Sequence, residues 1–367
     1  MRIRRRWPLW TVSRSLTRAS SKPSSTSFTP PADPTGNIVK AFVFETNGEP
    51  SQVLGLRDLP DPAPGPGEVA VRILLAPVHP SDLHIIRGRY GRQPPLPASP
   101  GIEAVGVVEE LGSGVTTPVP GTRVVLLNVI GTWRQRVVCP AGQLVVVPHG
   151  VSDDDAAQAI INPVAAWMLT VGEHRLAHGE LLTQTAAGST VGRLVLQLAR
   201  SEGFRTVNLV RRHAQIEELA ALGADITLCT TDPDWAGQLT EATHGGPRKA
   251  IDCVAGQVGA TLAETLAPGG RLLVFGALSS HRQTDRSAFE MPVFAPKMIY
   301  RGTRVEGWFL FHWLETTPLA ESVNVVSTVL ERLNSGALRS RGVGGEGLHG
   351  DVAGHRGHAG QAGQPVG

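Results

Sequence analysis

The chain has 367 residues, of which 41% are hydrophobic, and a formal net charge of +2, so it is long enough for two domains that each bury a core. The net charge is small and much of the arginine excess lies within the first 20 residues or so, which argues against a nucleic-acid partner. No apolar run approaches the roughly 18–20 residues that a membrane span requires, so we expect a soluble protein.

Residues 1–36 differ in composition from the remainder of the chain. Seven arginine and lysine side chains, among many serines and threonines, precede the first acid, Asp33. This composition is typical of a mitochondrial transit peptide and predicts a location in the mitochondrial matrix. Translation from an upstream start codon in a GC-rich bacterial gene, with a cytoplasmic protein, is the alternative, and both stay open here.

Residues 37–160 contain short apolar runs separated by glycine and proline turns. The runs are "EVAVRILLA", "AVGVVEEL", "RVVLLN" and "QLVVVP". Such a pattern predicts a small, largely antiparallel β domain. Residues 161–306 instead alternate strands and helices: "ELLTQ", a helix over 191–202, "TVNLV", a helix over 214–222, "ITLC", "KAIDCV" and "GRLLVFG". This alternation predicts a doubly wound parallel sheet, so the fold class is α/β.

The first strand-to-helix turn of the predicted parallel sheet is "QTAAGSTVG". Its small residues leave room for the backbone to approach a pyrophosphate, and the first turn of the following helix offers free N–H groups. A purely structural glycine-rich turn is the alternative. Because the turn follows an apolar strand and opens a helix, we expect it to bind a nucleotide.

Arg211 and Arg212 follow the second strand, where an NAD site usually carries a carboxylate for the ribose 2′-hydroxyl. Guanidinium groups form strong, often bidentate bonds to phosphate, so this pair favours the 2′-phosphate of NADPH. Two solvated arginines at a helix start are the alternative. Positive charge at a helix N-terminus opposes the helix dipole, however, and needs a reason.

The cysteines Cys139, Cys229 and Cys253 lie far apart and form no C-x-x-C pair. They predict neither a disulfide framework nor a structural zinc lobe, and we expect three buried, reduced thiols. After a helix over about 319–334 in the segment 307–340, residues 341–367 are rich in glycine and histidine without an apolar period. This tail is not expected to pack.

The motifs "PGPGEVAVRI" and "PGIEAVGVV", followed by the glycine-rich turn, resemble the medium-chain dehydrogenase/reductase superfamily over about 39–340. The segments "HPSDLHIIRGRYG", "GTWRQRVV", "INPVAAWMLT" and "GWFLFHW" resemble its zinc-free mitochondrial trans-2-enoyl-thioester reductases and their bacterial relatives. The resemblance implies a GroES-like catalytic domain, a Rossmann NADP-binding domain, a return to the catalytic domain over 307–340, and a homodimer. Quinone reductases of the superfamily share most of these segments.

Alcohol dehydrogenases of this superfamily hold a catalytic zinc, and the resemblance places the corresponding positions at His79, at Ile102 and near 163–164. A catalytic zinc needs three protein ligands and a structural zinc needs four, so one imidazole cannot hold it. The sequence therefore predicts no metal, and we expect His79 to be a hydrogen-bonded histidine. Without a Lewis acid, reduction of an electron-poor C=C bond is the more plausible chemistry.

Tyr90, on a loop between two glycines, falls where the enoyl-thioester reductases carry their catalytic tyrosine; a tyrosine that only anchors the loop is the alternative. Asn162 matches an asparagine near the nicotinamide, with a helix N-cap as the alternative. The resemblance assigns the other cofactor contacts to Gly188, Ser189, Thr190, Val191, Arg211, Arg212, His213, Phe275, Gly276, Ala277, Leu278, Trp308, Phe309 and Leu310. The family order is Phe-Trp where this chain has Trp308-Phe309, and the family C-terminus is replaced by the tail described above.

The resemblance implies NADPH-dependent reduction of the C2=C3 bond of trans-2-enoyl thioesters, carried on coenzyme A or acyl carrier protein, in fatty acid synthesis. An NADPH:quinone reductase is one alternative. A non-catalytic NADPH-binding protein with a defective C-terminus is the other.

Overall fold

The computed structural model describes residues 36–280, 283, 285–340 and 348–349 of the chain. The basic N-terminal segment and most of the glycine-rich tail lie outside the described residues, so the interpretations of both stay predictions.

Fourteen strands are described. They are β1 Ile38–Phe44, β2 Leu54–Pro60, β3 Glu68–Ala76, β4 Val105–Leu111, β5 Arg123–Leu126, β6 Arg136–Pro140, β7 Leu144–Val146, β8 Leu181–Gln184, β9 Arg205–Val210, β10 Ile226–Cys229, β11 Lys249–Asp252, β12 Arg271–Val274, β13 Arg304–Gly307 and β14 Leu348–His349.

Eleven α-helices are described. They are α1 Pro50–Val53, α2 Pro80–Ile86, α3 Asp153–Ala157, α4 Ile161–Trp167, α5 Thr190–Glu202, α6 Ala214–Ala221, α7 Trp235–Ala242, α8 Gly256–Thr265, α9 Ala295–Arg301, α10 Leu310–Thr316 and α11 Leu319–Asn334. A π-helix, Met168–Glu173, continues α4, and short 3-10 helices occupy Ala141–Gln143, Leu278–Ser280 and Arg286–Phe289.

The N-terminal part of the chain forms the predicted antiparallel β structure. β3 lies between β4 and β6, and the sheet continues through β5 to β7. β1 and β2 form a separate antiparallel hairpin. β3 carries consecutive buried residues, Val69, Ala70 and Val71, because it is covered on both faces.

The second large sheet is parallel throughout, with strand order β10-β9-β8-β11-β12-β13. The chain starts in the middle at β8, runs outward to β10, and then crosses back to β11. Ligands bind at the carboxyl ends of the strands where the order reverses, which here is the edge beside β8 and β11. The prediction of a β-rich domain joined to a doubly wound parallel sheet is confirmed.

The tail over 341–367 is not expected from its sequence to pack, but two of its residues form a short strand, β14. β14 pairs antiparallel with the end of β3, Leu348 opposite Ala76 and His349 opposite Leu75. β6 pairs with β3 only from Glu68 to Arg72, so the backbone N–H and C=O groups of the last residues of β3 have no strand partner on that side. Two extended residues can form hydrogen bonds with these groups whatever their side chains are, because only the backbone takes part. None of the described helices is both long and apolar enough to cross a bilayer.

Candidate active site

A cavity of about 1030 Å³ lies between the β-rich sheet and the carboxyl edge of the parallel sheet. One wall consists of the end of β3, the start of α2 and the loop after α2. The other wall consists of the turn after β8, the segment after β12 and the segment after β13. The cavity brings together most of the candidate residues, namely Tyr90, Asn162, Ser189, Thr190, Val191, Phe275, Gly276, Ala277, Leu278, Trp308, Phe309 and Leu310.

Tyr90 is half-buried, and its ring packs edge-on against two aromatic rings of the opposite wall. Ring centroids lie 5.5 Å from Phe309 and 6.3 Å from Phe311. Burial raises the pKa of Tyr90 to about 12, although a hydrogen bond with the Ser81 hydroxyl acts in the opposite direction. The phenol therefore stays protonated at neutral pH, and it can donate a hydrogen bond into the cavity.

The turn after β8 has the close backbone packing that a diphosphate site requires. The Ser189 hydroxyl caps α5 by accepting from the Gly192 N–H at 3.2 Å. A Cβ on Gly192 would lie 2.4 Å from the Ala187 carbonyl oxygen, so only glycine fits there. The first N–H groups of α5, including those of Thr190 and Val191, have no partner inside the helix, and both residues line the cavity, where such groups suit an anion.

Asn162 is not the cap of its helix, because α4 begins at Ile161 with Ile160 as its N-cap. The N–H groups that have no partner within the helix at this end are instead bound by Glu103, whose Oε2 accepts from Ile160 N at 3.0 Å and from Ile161 N at 2.8 Å. The amide of Asn162 is thereby left available on the cavity wall. This removes the capping role as the explanation for Asn162.

The other oxygen of Glu103 contacts the ring of His79, and both side chains are buried. Burial alone would lower the pKa of His79, but the charge and hydrogen bond of Glu103, together with the charge of Asp82, outweigh it and raise that pKa. The expectation that His79 is a hydrogen-bonded histidine is confirmed. The buried network joins α2, which carries Ser81, to the start of α4.

The residues around His79 do not fit a catalytic zinc. Ile102 and Val164, at two of the positions that the resemblance assigns to zinc ligands, are buried hydrophobic side chains without a donor atom. Among the described residues, no cluster of three or more metal-ligating side chains includes His79. A ligand set of three is therefore missing, and no step of the chemistry is derived through a metal here.

Trp308 and Phe309, whose order is reversed relative to the family, both line the cavity. Phe309 faces Tyr90, whereas the indole Nε1 of Trp308 is buried without a hydrogen-bond partner in the structure. A buried N–H without a partner costs free energy unless a ligand accepts from it. A bound group that placed an acceptor beside this atom would remove that cost.

Arg211, Arg212 and His213 do not line the cavity. They follow β9 on the surface and are exposed, but β9 is the strand beside the glycine-rich turn, since Leu209 O accepts from Ala187 N at 3.2 Å. His213 Nε2 lies 2.9 Å from Asp232 Oδ1. Gly188 also lies outside the cavity lining, where its Cα faces the side chain of Gln215 in α6.

Several cavity residues were missed in the sequence, among them Ser81, Cys253 and Phe311. Cys253 is buried at the end of β11, and burial, with the charge of Asp252, raises the pKa of its thiol to about 12. All three cysteines are buried and free, as expected. No local motif marks these positions, because they come together only through the packing of distant segments.

Comparisons with known proteins agree with this geometry. Residues 65–149 match the family "Alcohol dehydrogenase GroES-like domain", and residues 190–324 match the family "Zinc-binding dehydrogenase". The curated protein "Enoyl-[acyl-carrier-protein] reductase, mitochondrial" from Bos taurus is 32% identical over 327 residues, which is 86% of this chain and 84% of that protein.

Two solved structures share the architecture. A putative NADPH:quinone reductase from Bacillus thuringiensis has a TM-score of 0.76 at 31% identity, covering 83% of this chain and 89% of that one. The mitochondrial 2-enoyl thioester reductase heterodimer from Candida tropicalis has a TM-score of 0.70 at 22% identity, covering 83% and 91%. The second likeness shows the fold alone.

Proposed function

The chain belongs to the medium-chain dehydrogenase/reductase superfamily, in the branch of the mitochondrial enoyl-[acyl-carrier-protein] reductases, and we propose on this premise that it reduces the C2=C3 double bond of trans-2-enoyl thioesters with NADPH. The observation that carries the proposal is a protonated phenol, Tyr90, in the same cavity as the glycine-rich turn that opens α5 and without a metal ligand set. The thioester would be carried on coenzyme A or acyl carrier protein, in fatty acid synthesis.

The cofactor residues have separate tasks in this proposal. The first turn of α5 binds the diphosphate through its free N–H groups. The segment over 275–278, with Asn162 and Trp308, forms the seat of the nicotinamide, where the amide of Asn162 and the free indole N–H offer hydrogen bonds. Bound NADPH supplies the hydride that is added to the β-carbon of the thioester.

Tyr90 acts at the other reacting end of the substrate. Its hydroxyl donates a hydrogen bond to the thioester oxygen, where negative charge develops as the β-carbon is reduced, and it assists delivery of a proton to the α-carbon. A donor preorganised in this way is worth about 3–4 kcal/mol in the transition state. Phe309 and Phe311 hold the ring edge-on, so the oxygen is presented at a fixed place in the cavity.

Steady-state assays with crotonyl-CoA and with a benzoquinone test the proposal. We expect NADPH oxidation with crotonyl-CoA and little with the quinone, because in this proposal Tyr90 stabilises a thioester enolate and assists protonation of its α-carbon, whereas a reduced quinone is protonated on oxygen. Turnover of the quinone alone would establish the quinone reductase alternative, which the likeness to the Bacillus thuringiensis protein makes the principal rival. Tight NADPH binding with neither activity would establish the non-catalytic alternative.

The exposed arginines after β9 lead to a prediction about the choice of cofactor. We expect kcat/KM to favour NADPH over NADH by about 10–100-fold, because guanidinium bonds to phosphate at this exposed place are together worth about 1.5–3 kcal/mol. Arg211→Ala and Arg212→Ala should raise KM for NADPH far more than KM for NADH. Arg205→Ala, at the opposite end of the same strand, is the control and should change neither; equal use of both cofactors by the wild type would contradict the assignment.

A homodimer is the second part of the proposal. β13 is the last strand of the parallel sheet, and its outer edge has no partner among the described residues. Beside it, α9 exposes Ile299 and Tyr300 at 73% and 85% of their surface, with Phe294 just before it at 57%. An unpaired strand edge next to exposed apolar side chains is the usual mark of a surface that another chain covers.

Sedimentation velocity tests the dimer. The wild type should sediment as two chains, and Ile299→Asp should shift it to one. Val119→Asp replaces a valine of the β-rich part that is also exposed, at 57% of its surface, and should leave the dimer intact. A monomeric wild type would exclude the proposal.

The mitochondrial names of the relatives and the basic N-terminal segment support a location in the mitochondrial matrix. A cytoplasmic location remains the alternative if the segment reflects an upstream start codon in a bacterial gene. Import of a fusion of residues 1–36 to a fluorescent protein into mitochondria would distinguish the two.

A further inference from the structure

Three metal-ligating side chains converge at the carboxyl edge of β9 and β10, outside the large cavity. His213 precedes α6, Cys229 ends β10, and Asp232 follows in the loop after β10. The ligand atoms, an imidazole nitrogen, the thiol sulfur and a carboxylate oxygen, all lie within 4.8 Å of one another. His213 Nε2 and Asp232 Oδ1 are already 2.9 Å apart.

The donor set has the chemistry of a zinc site. Nitrogen, sulfur and oxygen donors bind Zn²⁺ at about 2.0–2.3 Å, and three protein ligands with one open position are a common arrangement. Cys229 and Asp232 are three residues apart, so they form a short chelating loop, and His213 completes the set from the segment between β9 and α6. Because the three ligand atoms lie within 4.8 Å of one another and the His213 side chain is exposed, side-chain rotation would bring them to bonding distance of one ion.

The surrounding charges can accommodate a cation. Arg211 and Arg212 oppose it, but the Asp232 carboxylate and a Cys229 thiolate together offset the two positive charges of the ion. The Thr231 hydroxyl, 3.1 Å from the Cys229 sulfur, can donate to the thiolate that metal binding produces. The open side of the cluster faces solvent at His213, so an ion can enter without unfolding the sheet.

We propose that His213, Cys229 and Asp232 form a binding site for a divalent transition metal, with zinc as the best match, and that metal and NADPH bind antagonistically. The antagonism rests on the proposed function, which places the 2′-phosphate of NADPH against Arg211, Arg212 and His213. A metal that takes the His213 imidazole removes it from the phosphate. By linkage, NADPH weakens the metal by the same factor.

Titration of the reduced full chain with Co²⁺ tests the site directly, because a cobalt–thiolate bond gives a charge-transfer band that histidine ligands elsewhere in the chain cannot produce. We expect the band in the wild type, its displacement by Zn²⁺, and its loss in Cys229→Ser, which keeps a hydrogen-bonding group beside Thr231. Cys139→Ser, a buried thiol in β6, is the matched control and should keep the band. No band in the wild type, or an unchanged band in Cys229→Ser, overturns the metal site.

Fluorescence titration with NADPH, with and without Zn²⁺, tests the antagonism. Zinc should raise the Kd of NADPH for the wild type by about 5–150-fold, the usual range of coupling between sites. The increase should be much smaller for Cys229→Ser. Any increase seen with this variant measures the binding of zinc to NADPH itself. An equal effect in both proteins overturns the antagonism. If the wild type bound no NADPH at all, the proposed function would fail, while the cobalt band would still decide the metal site.

Discussion

Tyr90→Phe should lower kcat for enoyl-thioester reduction by about 10²–10⁴-fold, the usual contribution of a general acid. The substitution removes only the phenol oxygen, and a phenylalanine ring can keep the edge-on contacts with Phe309 and Phe311. NADPH affinity should therefore stay within about twofold of the wild type, as expected when an interaction made in the transition state is lost. Steady-state kinetics with crotonyl-CoA and a fluorescence titration with NADPH measure the two quantities.

The chain provides a matched control, since its second tyrosine is exposed in α9, away from the cavity. Tyr300→Phe should leave kcat unchanged. A Tyr90→Phe enzyme within about threefold of wild-type kcat, or one that loses thermal stability and NADPH binding together, would show that Tyr90 only anchors its loop. The proton would then have to come from water or from another side chain.

The parallel sheet could be predicted from the sequence because the patterns that indicate it are local. The small residues of "QTAAGSTVG" follow an apolar strand, and the predicted helix over 191–202 differs from α5 only by Thr190, which Ser189 brings into the helix as its cap. The exposed position of Arg211 and Arg212 after β9 follows from the same alternation. Such features depend on contacts within a few residues of chain.

The wall of the cavity that carries Tyr90 could be predicted only in part from the sequence. The glycines around Tyr90 mark a loop, but its contact with Phe309 joins segments from the two ends of the chain. The metal-ligating cluster at His213 has no motif at all, because strand pairing between β9 and β10 brings it together. Glu103 is marked in the sequence only as a single acid within the apolar run "PGIEAVGVV". That run does not indicate which groups form hydrogen bonds with the carboxylate.

Glu103→Ala should lower the free energy of unfolding by about 3–5 kcal/mol, a large part of the 5–15 kcal/mol typical of a folded domain. The substitution leaves the His79 ring buried without its partner and frees the N–H groups of Ile160 and Ile161 at the start of α4. Since α4 carries Asn162, NADPH affinity should fall as well. Chemical denaturation and fluorescence titration measure the two effects.

Glu103→Gln separates the charge from the hydrogen bonds. The amide oxygen can still accept from α4 and the amide N–H can donate to a neutral His79, so the loss should be smaller, about 1–2 kcal/mol. Asp58→Asn, which breaks the exposed ion pair with Lys40, is the control and should leave stability nearly unchanged. If Glu103→Ala were as stable as this control, the buried pair would not support the site.

The charge of the pair also makes a prediction about pH. The pKa of His79 is raised in the folded protein, so the stability that its protonation contributes is fully present below its usual value of 6.5 and is lost as the pH rises through the raised pKa. The difference in unfolding free energy between wild type and Glu103→Gln should therefore be largest below pH 6.5 and shrink as the pH rises through the raised pKa. Burial raises the pKa of Asp82 to about 6, and the charge of Glu103 adds to that shift, so the two proteins are best compared above about pH 7, where Asp82 is ionised in both. A difference that did not change with pH would mean that Glu103 holds a neutral imidazole, and that hydrogen bonds rather than charge join α2 to α4.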